Sequence, residues 1–234
     1  MSSSVESARN RLLSALPPVQ WQRWQLDLEL VEMPSGLVLY DSGCVMSHVY
    51  FPTTAVVTLL YVLGNGASTE IAVVGNEGVV GLPAFMGGGS TSSRAMVLST
   101  GHGYRLRASI MQAEFERGGP LQHLLLRYVQ ALITQIAQTA VCNRHHSLDQ
   151  QLCRWLLLSL DRIQGTELIM TQELISNMLG VRREGVTEAA LKLQKAGLIR
   201  YTRGHISVLD REGLEHRCCE CYEVVKKEYD RLLP

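Results

Sequence analysis

The chain has 234 residues, 46% hydrophobic and 19% charged, enough for one large domain or two modest ones with a packed core. Its 22 Lys and Arg balance 22 Asp and Glu, which excludes a generic polyanion binder acting through total charge. No apolar run reaches the roughly 18–20 residues that span a membrane, the opening residues lack a secretory apolar core, and the six cysteines are not spaced as a disulfide framework, so a reducing cytoplasm is the expected setting.

Over residues 9–32, Leu12, Leu13, Leu16, Trp21, Trp24 and Leu28 recur at helical spacing. Pro17-Pro18 interrupts them, which predicts two short helices with a corner at Ser14 to Pro18. From Val31 to about Arg107 the texture changes to short β-branched and aromatic runs separated by glycine turns such as Asp41-Ser42-Gly43 and Gly101-His102-Gly103. Many short strands so spaced predict a sandwich or small barrel. YVLGNGASTEIAVV reads as a hairpin with Asn65-Gly66 near its tip, and Gly87 to Ser93 as a flexible, exposed loop.

Ala108 to Arg117 predicts a helix ended by Gly118-Gly119-Pro120. A long helix then runs from Leu121 to about His146 with two apolar stripes. Leu121, Leu125, Tyr128 and Leu132 form one, and Leu126, Val129, Ile133, Ile136 and Ala140 the other. A helix apolar on two faces needs two surfaces to bury against. One is the β domain; the other is most simply the same helix of a second copy, the alternative being complete burial within one domain. Ser147-Leu148-Asp149-Gln150 has the form of a capping box. It predicts a new helix, Leu148 to Leu160, buried through Leu152, Trp155, Leu156 and Leu160, and marks a hinge. Gln164-Gly165-Thr166 is a turn.

From Thr171 to His205 six Lys or Arg stand against three Glu, a local excess of positive charge. Thr171 suits a helix N-cap. Leu174, Ile175, Met178 and Leu179 make a buried stripe, and Gly180 breaks the helix. A second helix begins near Arg182, buried at Val186, Ala189, Ala190 and Leu193, with Arg182, Arg183, Glu184, Thr187 and Glu188 exposed. Arg can donate two parallel hydrogen bonds to guanine, and Glu can accept from cytosine. A solvated charged face is the plain alternative. Leu198 to Tyr201 and Ile206 to Leu209 predict a two-stranded wing with Arg203 at its tip, placed for phosphate. Thr171 and Gln172, at the start of the first helix, complete the candidate DNA contacts. Arg211 to Leu232 reads as one final helix or two.

This order of parts resembles the superfamily of the cyclic-AMP receptor protein and the fumarate–nitrate reduction regulator. The likeness is strongest over MTQELISNMLGVRREGVTEAALKLQKAGLIR. It implies an α+β chain with a cyclic-nucleotide-binding-like β-roll over 1–119, a dimerisation helix over 120–146 and a winged helix-turn-helix over 147–234. It further implies a sequence-specific regulator whose Arg183-Glu184 pair reads bases, with double-stranded DNA, a second copy and RNA polymerase as partners. A third base-reading Arg of the family is Glu188 here, so a different operator is expected. The resemblance puts a ligand pocket at Gly81, Leu82, Ser93 and Arg94, with Ile136 of the long helix. Leu82 stands where a nucleotide binder has the ribose-binding Glu, and Arg94 is displaced by one position from the phosphate-binding Arg. Cyclic AMP is therefore not expected, and the effector is open. The chain has no Cys ahead of the roll, so the iron–sulfur site of the oxygen-sensing branch is not implied.

Cys218, Cys219 and Cys221 invite a metal- or redox-responsive reading. Three such residues on one helix would point in different directions, so packing is the expected role, with no metal or cofactor. His145-His146 reads as a polar helix end, and His48 and His102 are unsupported as haem ligands. No nucleotide loop, nucleophile elbow or zinc-protease motif is present, and Gly87-Gly88-Gly89 lacks a following Lys-Ser or Lys-Thr, which argues against an enzyme.

Overall fold

The computed structural model describes residues 9–163 and 165–234. The opening residues read for a secretory core and Gln164 of the expected turn fall outside them. The described chain opens with α1 (Arg11–Ser14) and α2 (Pro18–Trp24). Asn10 caps α1 by accepting from the Leu13 N–H, while its amide donates to the carbonyls of Pro52 and Gly78. The second helix stops at Trp24, short of the sequence reading, because the chain passes into a strand at Glu29.

Seven strands follow: β1 (Glu29–Met33), β2 (Val38–Tyr40), β3 (His48–Pro52), β4 (Val56–Val62), β5 (Ser68–Val74), β6 (Arg94–Ser99) and β7 (Gly101–Arg107). They form a three-stranded sheet ordered β1-β7-β3 and a four-stranded sheet ordered β2-β6-β4-β5. The β4–β5 hairpin closes where the Leu63 N–H donates to Ala67 O. The glycine-rich loop before β6 is mostly exposed but tied down: Gly89 N donates to Pro83 O, and its own carbonyl accepts from Met46 N.

Val56 to Leu60 is buried at every position rather than at alternate ones. Val57 and Leu59 pack with Ala72, Val74, Ala95 and Val97 inside the roll. Val56 and Leu60, on the other face, join the larger core that includes the C-terminal helices. A strand buried on both faces reads as a continuous apolar run.

Then come α3 (Ala108–Glu116), α4 (Pro120–His145), α5 (Leu148–Leu160), β8 (Glu167–Ile169), α6 (Gln172–Leu179), α7 (Arg183–Lys195), β9 (Ile199–Thr202), β10 (His205–Val208), α8 (Arg211–Arg217) and α9 (Glu220–Leu232). Ser147 and Gln150 form the expected reciprocal capping box at the start of α5. The helix is buried at every position from Gln151 to Leu160, not along one stripe, and packs against α7, α8 and α9. The wing also differs: β8 adds a third strand in the order β8-β10-β9.

One buried ion pair joins these layers. Arg162 Nε meets Glu77 Oε1 at 2.7 Å, with the two side chains 5% and 8% exposed. The guanidinium also donates to Leu158 O on α5 and Gln135 Oε1 on α4, and lies 5.5 Å from the ring centroid of Tyr229 on α9. Glu77 accepts in addition from Gly75 N. A Cβ on Gly75 would sit 2.7 Å from Arg162 Cβ, so glycine permits this approach.

A second buried carboxylate lies where the roll meets α6. Glu70 accepts from Thr58 Oγ1 at 2.7 Å, and Thr58 also touches Met178 Sδ at 3.6 Å. Burial raises the Glu70 carboxyl from 4.5 to about 7, opposed by the Thr58 hydroxyl and the charges of Arg154 and Arg162.

These two carboxylates make opposite demands on stability. Glu77→Ala leaves Arg162 buried without a counter-ion and should destabilise by about 3–5 kcal/mol in denaturant titrations; a loss below about 1 kcal/mol would mean that water already compensates the charge. For Glu70 the folded pKa lies above the unfolded one. Its contribution is therefore fully present below pH 4.5 and lost as pH rises through about 7. Glu70→Gln should remove that dependence. Relative to pH 4.5, the variant should gain roughly 3 kcal/mol on wild type by pH 8. Parallel stability curves from pH 4.5 to 8 would refute the raised carboxyl.

Candidate nucleic-acid interface

Thr171 caps α6 through its hydroxyl, which accepts from Leu174 N at 3.1 Å. Ile175, Met178 and Leu179 are buried and Leu174 half-buried, so the apolar stripe seats α6. Gly180 ends the helix in the left-handed region at φ 65, and a Cβ there would also meet Thr69 Oγ1 at 2.6 Å. Arg182 is the N-cap of α7, one residue earlier than its first helical turn. Val186, Ala189, Ala190 and Leu193 are buried, holding the opposite face of α7 outward.

That outward face and the wing enclose a groove of about 410 Å³ lined in part by Thr171, Gln172, Arg183, Thr187, Arg203 and Gly204. Thr187 Oγ1 donates to Gln172 Oε1 at 2.8 Å, which couples the two helices. Tyr201 braces the wing: its hydroxyl donates to Met170 O at 2.8 Å and its N–H to Gln194 Oε1 at 3.0 Å. Arg203 holds a positive φ of 49 at the wing tip.

The structure thus brings five of the sequence-identified contacts to one concavity. Arg182, Glu184 and Glu188 are exposed outside its lining. Glu188 is drawn to Lys192, whose Nζ lies 3.0 Å from its Oε1. Leu191, Gln194 and Tyr201 also line the groove and were missed. Leu191 and Gln194 were legible, since they continue the Arg183, Thr187 face at helical spacing. Tyr201 needed the wing's fold.

Among the described residues, Arg182, Arg183 and Arg203 make no ion pair with a carboxylate. Their charges are free for an external anion. Gly180, the capped α6 and the wing bring Arg183 and Arg203 to one groove, the arrangement a helix needs to enter a major groove while flanking groups touch phosphate.

The residues read as a ligand pocket are each held by local contacts. Leu82 and Ile136 pack against the same apolar cluster in the roll. Gly81 sits at φ 109 before the short 3-10 turn Leu82–Ala84. Ser93 is buried and bonded to Thr91. Arg94, the first residue of β6, turns to Asp41 in a two-point pair at 3.0 and 2.8 Å. That pair holds the Asp41 carboxyl below its usual range.

On α4 the first stripe, Leu121, Leu125, Tyr128 and Leu132, is buried. In the second, Leu126 and Ile133 are 50% and 59% exposed, Ala140 is exposed, and Val129 and Ile136 are half-buried. Helix α9 lies along α4 beside this stripe, with Gln130 bonded to Glu228.

The cysteines depart from the sequence reading. They do not share one helix: Cys218 ends α8, Cys219 is the N-cap of α9 and Cys221 lies in its first turn. Cys142 on α4 approaches Cys219, with the sulfurs 3.6 Å apart. Hydrogen bonds from the Cys142 and Cys218 thiols hold Cys219 well below the usual thiol range.

Comparison with known proteins agrees with this geometry. Residues 150–217 match the family model of the Crp-like helix-turn-helix domain. No curated protein matches the chain. Among solved structures, the chain resembles a protein of Eubacterium rectale described as a transcriptional regulator of the Crp/Fnr family. That pair is 18% identical over 89% of this chain and 98% of the other, with a TM-score of 0.71. FixK2 of Bradyrhizobium japonicum is 16% identical over 82% and 98%, with a TM-score of 0.68. A CRP-family transcriptional regulator of Thermus thermophilus is 19% identical over 80% and 95%, with a TM-score of 0.67. At these identities the structural likeness establishes the fold, an α+β chain with a β-sheet N-terminal part, a long helix and a C-terminal helix-turn-helix. Residues 150–217 therefore form a Crp-like helix-turn-helix domain, carried on a fold similar to that of solved Crp/Fnr-family regulators.

Proposed function

We propose that the chain is a homodimeric, sequence-specific regulator in which α7 enters the major groove and the wing grips phosphate. The observation that carries this reading is the pair of unpaired cations, Arg183 and Arg203, that line one groove, with Arg182 exposed beside Arg183 at the N-cap of α7. Residues 1–119 act as sensor, 120–146 as dimer helix and 147–234 as DNA-binding unit. The exposed apolar stripe on α4 supports dimerisation, since Leu126 and Ile133 would otherwise leave a row of hydrophobic side chains in water. Two such subunits present their recognition helices to major grooves about 34–36 Å apart on a near-palindromic site.

Arg183 reads a base, while Arg182 and Arg203 serve the backbone. Glu188, held by Lys192, does not supply the third base-reading arginine of the family. The effector is not cyclic AMP in this reading, because Arg94 is already engaged by Asp41 and Leu82 offers the ribose no acceptor. A metal- or thiol-responsive regulator is a second reading, favoured by the sulfur cluster between α4 and α9.

Footprinting of the purified protein should recover a near-palindromic site, and absence of retardation on its own upstream DNA at low salt would sink the regulator reading. Arg183→Ala should weaken the specific site by about 1–3 kcal/mol and relax the base choice there. Equal loss on random DNA would assign it to phosphate instead. Ile133→Glu should yield monomers in analytical ultracentrifugation; a variant that remains dimeric moves the seam elsewhere.

A further inference from the structure

Cys142, His146, Cys219 and Cys221 converge from two separated stretches of chain: the last turn and C-cap of α4, and the start of α9. Their three sulfurs and the nearer imidazole nitrogen all lie within 4.8 Å of one another. Cys142 Sγ and Cys219 Sγ are 3.6 Å apart, as are Cys221 Sγ and His146 Nδ1. A tetrahedral zinc with Zn–S of about 2.3 Å and Zn–N of about 2.0–2.1 Å has edges of roughly 3.8 Å between sulfurs and 3.6 Å between sulfur and nitrogen. Two edges therefore stand near that length before any ion enters, and the others need contractions of about an ångström or less, within side-chain rotation.

We propose that these four residues form a structural site for zinc or a zinc-like soft divalent cation. Three thiolates and an imidazole favour such an ion over magnesium or calcium, which take oxygen ligands. Four protein donors close the tetrahedron, as in structural rather than catalytic zinc sites. On binding, those thiols still protonated release their protons to solvent and the neutral imidazole donates its Nδ1 lone pair.

The surroundings match. His146 Nε2 lies 3.4 Å from Glu220 Oε1, so a carboxylate orients the ring with Nδ1 toward the sulfurs. Gln151 Nε2 donates to His146 O at 2.9 Å, fixing the chain that carries that ring. Arg154 is buried, bonded to Thr139 Oγ1 at 3.2 Å, and its Nε has no partner. No carboxylate pairs with it within 4.0 Å among the described residues. A zinc with three thiolates carries net negative charge, which supplies this guanidinium with a counter-ion; its field reaches both Cys142 and Cys221.

The ion would join the end of the dimer helix to the last helix of the DNA-binding unit, across the Ser147 hinge. The site itself does not depend on the regulator reading; only this consequence does.

Full-length protein isolated under reductant should contain about one zinc per chain by elemental analysis. After chelation, it should take up cobalt with the visible bands of a tetrahedral thiolate complex and melt at higher temperature once zinc is restored. Cys142→Ser, Cys219→Ser, Cys221→Ser and His146→Ala should each weaken zinc at least tenfold in competition with a chromophoric chelator. Cys218→Ser and Cys44→Ser should retain it, and Glu220→Gln should weaken it by about 10–100-fold. Should Cys142→Ser fail to fold, the wild-type cobalt titration still decides. The proposal is overturned by folded wild type that gives no tetrahedral cobalt bands, by a Cys142–Cys219 disulfide in the reduced preparation, by an iron–sulfur chromophore in place of zinc, or by retention of metal in all four ligand variants.

Discussion

The buried Arg162–Glu77 pair fixes how the two halves of this chain meet. A guanidinium removed from water is costly unless each of its donors is satisfied. Here the acceptors come from the roll, the long helix and α5, and the aromatic face from α9. Any displacement of the DNA-binding unit from the roll that separates these acceptors exposes an unpaired charge in a dry interior. The pair therefore selects one arrangement of the layers, even if its net contribution to stability is small.

That constraint also explains what could be seen in the sequence. Local rules are short-ranged, and the elements they govern were legible: the Ser147 capping box, the Thr171 cap, the Gly180 break and the buried face of α7 at Val186, Ala189, Ala190 and Leu193. Each depends on neighbours within a few residues. The two stripes of α4 were legible for the same reason, since helical spacing alone separates Leu125 from Leu126.

What was hidden depends on partners distant in sequence. Arg94 reads as a misplaced phosphate ligand, but its direction is set by Asp41 across the sheet. The short strand Glu167–Ile169 carries too few residues for a period and exists because β10 offers it an edge. The cysteines seemed unable to converge because they were placed on one helix. The chain instead breaks between Cys218 and Cys219, and Cys142 arrives from 77 positions away. Burial of α5 on every side was hidden too, because Gln151, Arg154 and Ser159 interrupt its apolar pattern yet are enclosed.

The DNA-binding unit is consequently held at more than one place. Arg162 ties its entry to the roll, Met178 and Gly180 press α6 onto Thr58 and Thr69, and Cys219 and Cys221 bring its last helix back to the end of α4. These contacts differ in physical kind. The ion pair resists separation because a lone buried charge is expensive. The contact at Thr58 borders a carboxyl raised to about 7 and so responds to proton concentration near neutrality. The sulfur cluster responds to thiol chemistry. A signal moves such a unit only by interacting differently with its two positions. Chemistry that can do so lies at the Glu70 contact and at the cysteines, both at the border of the DNA-binding unit, whereas Arg94 in the roll is already paired.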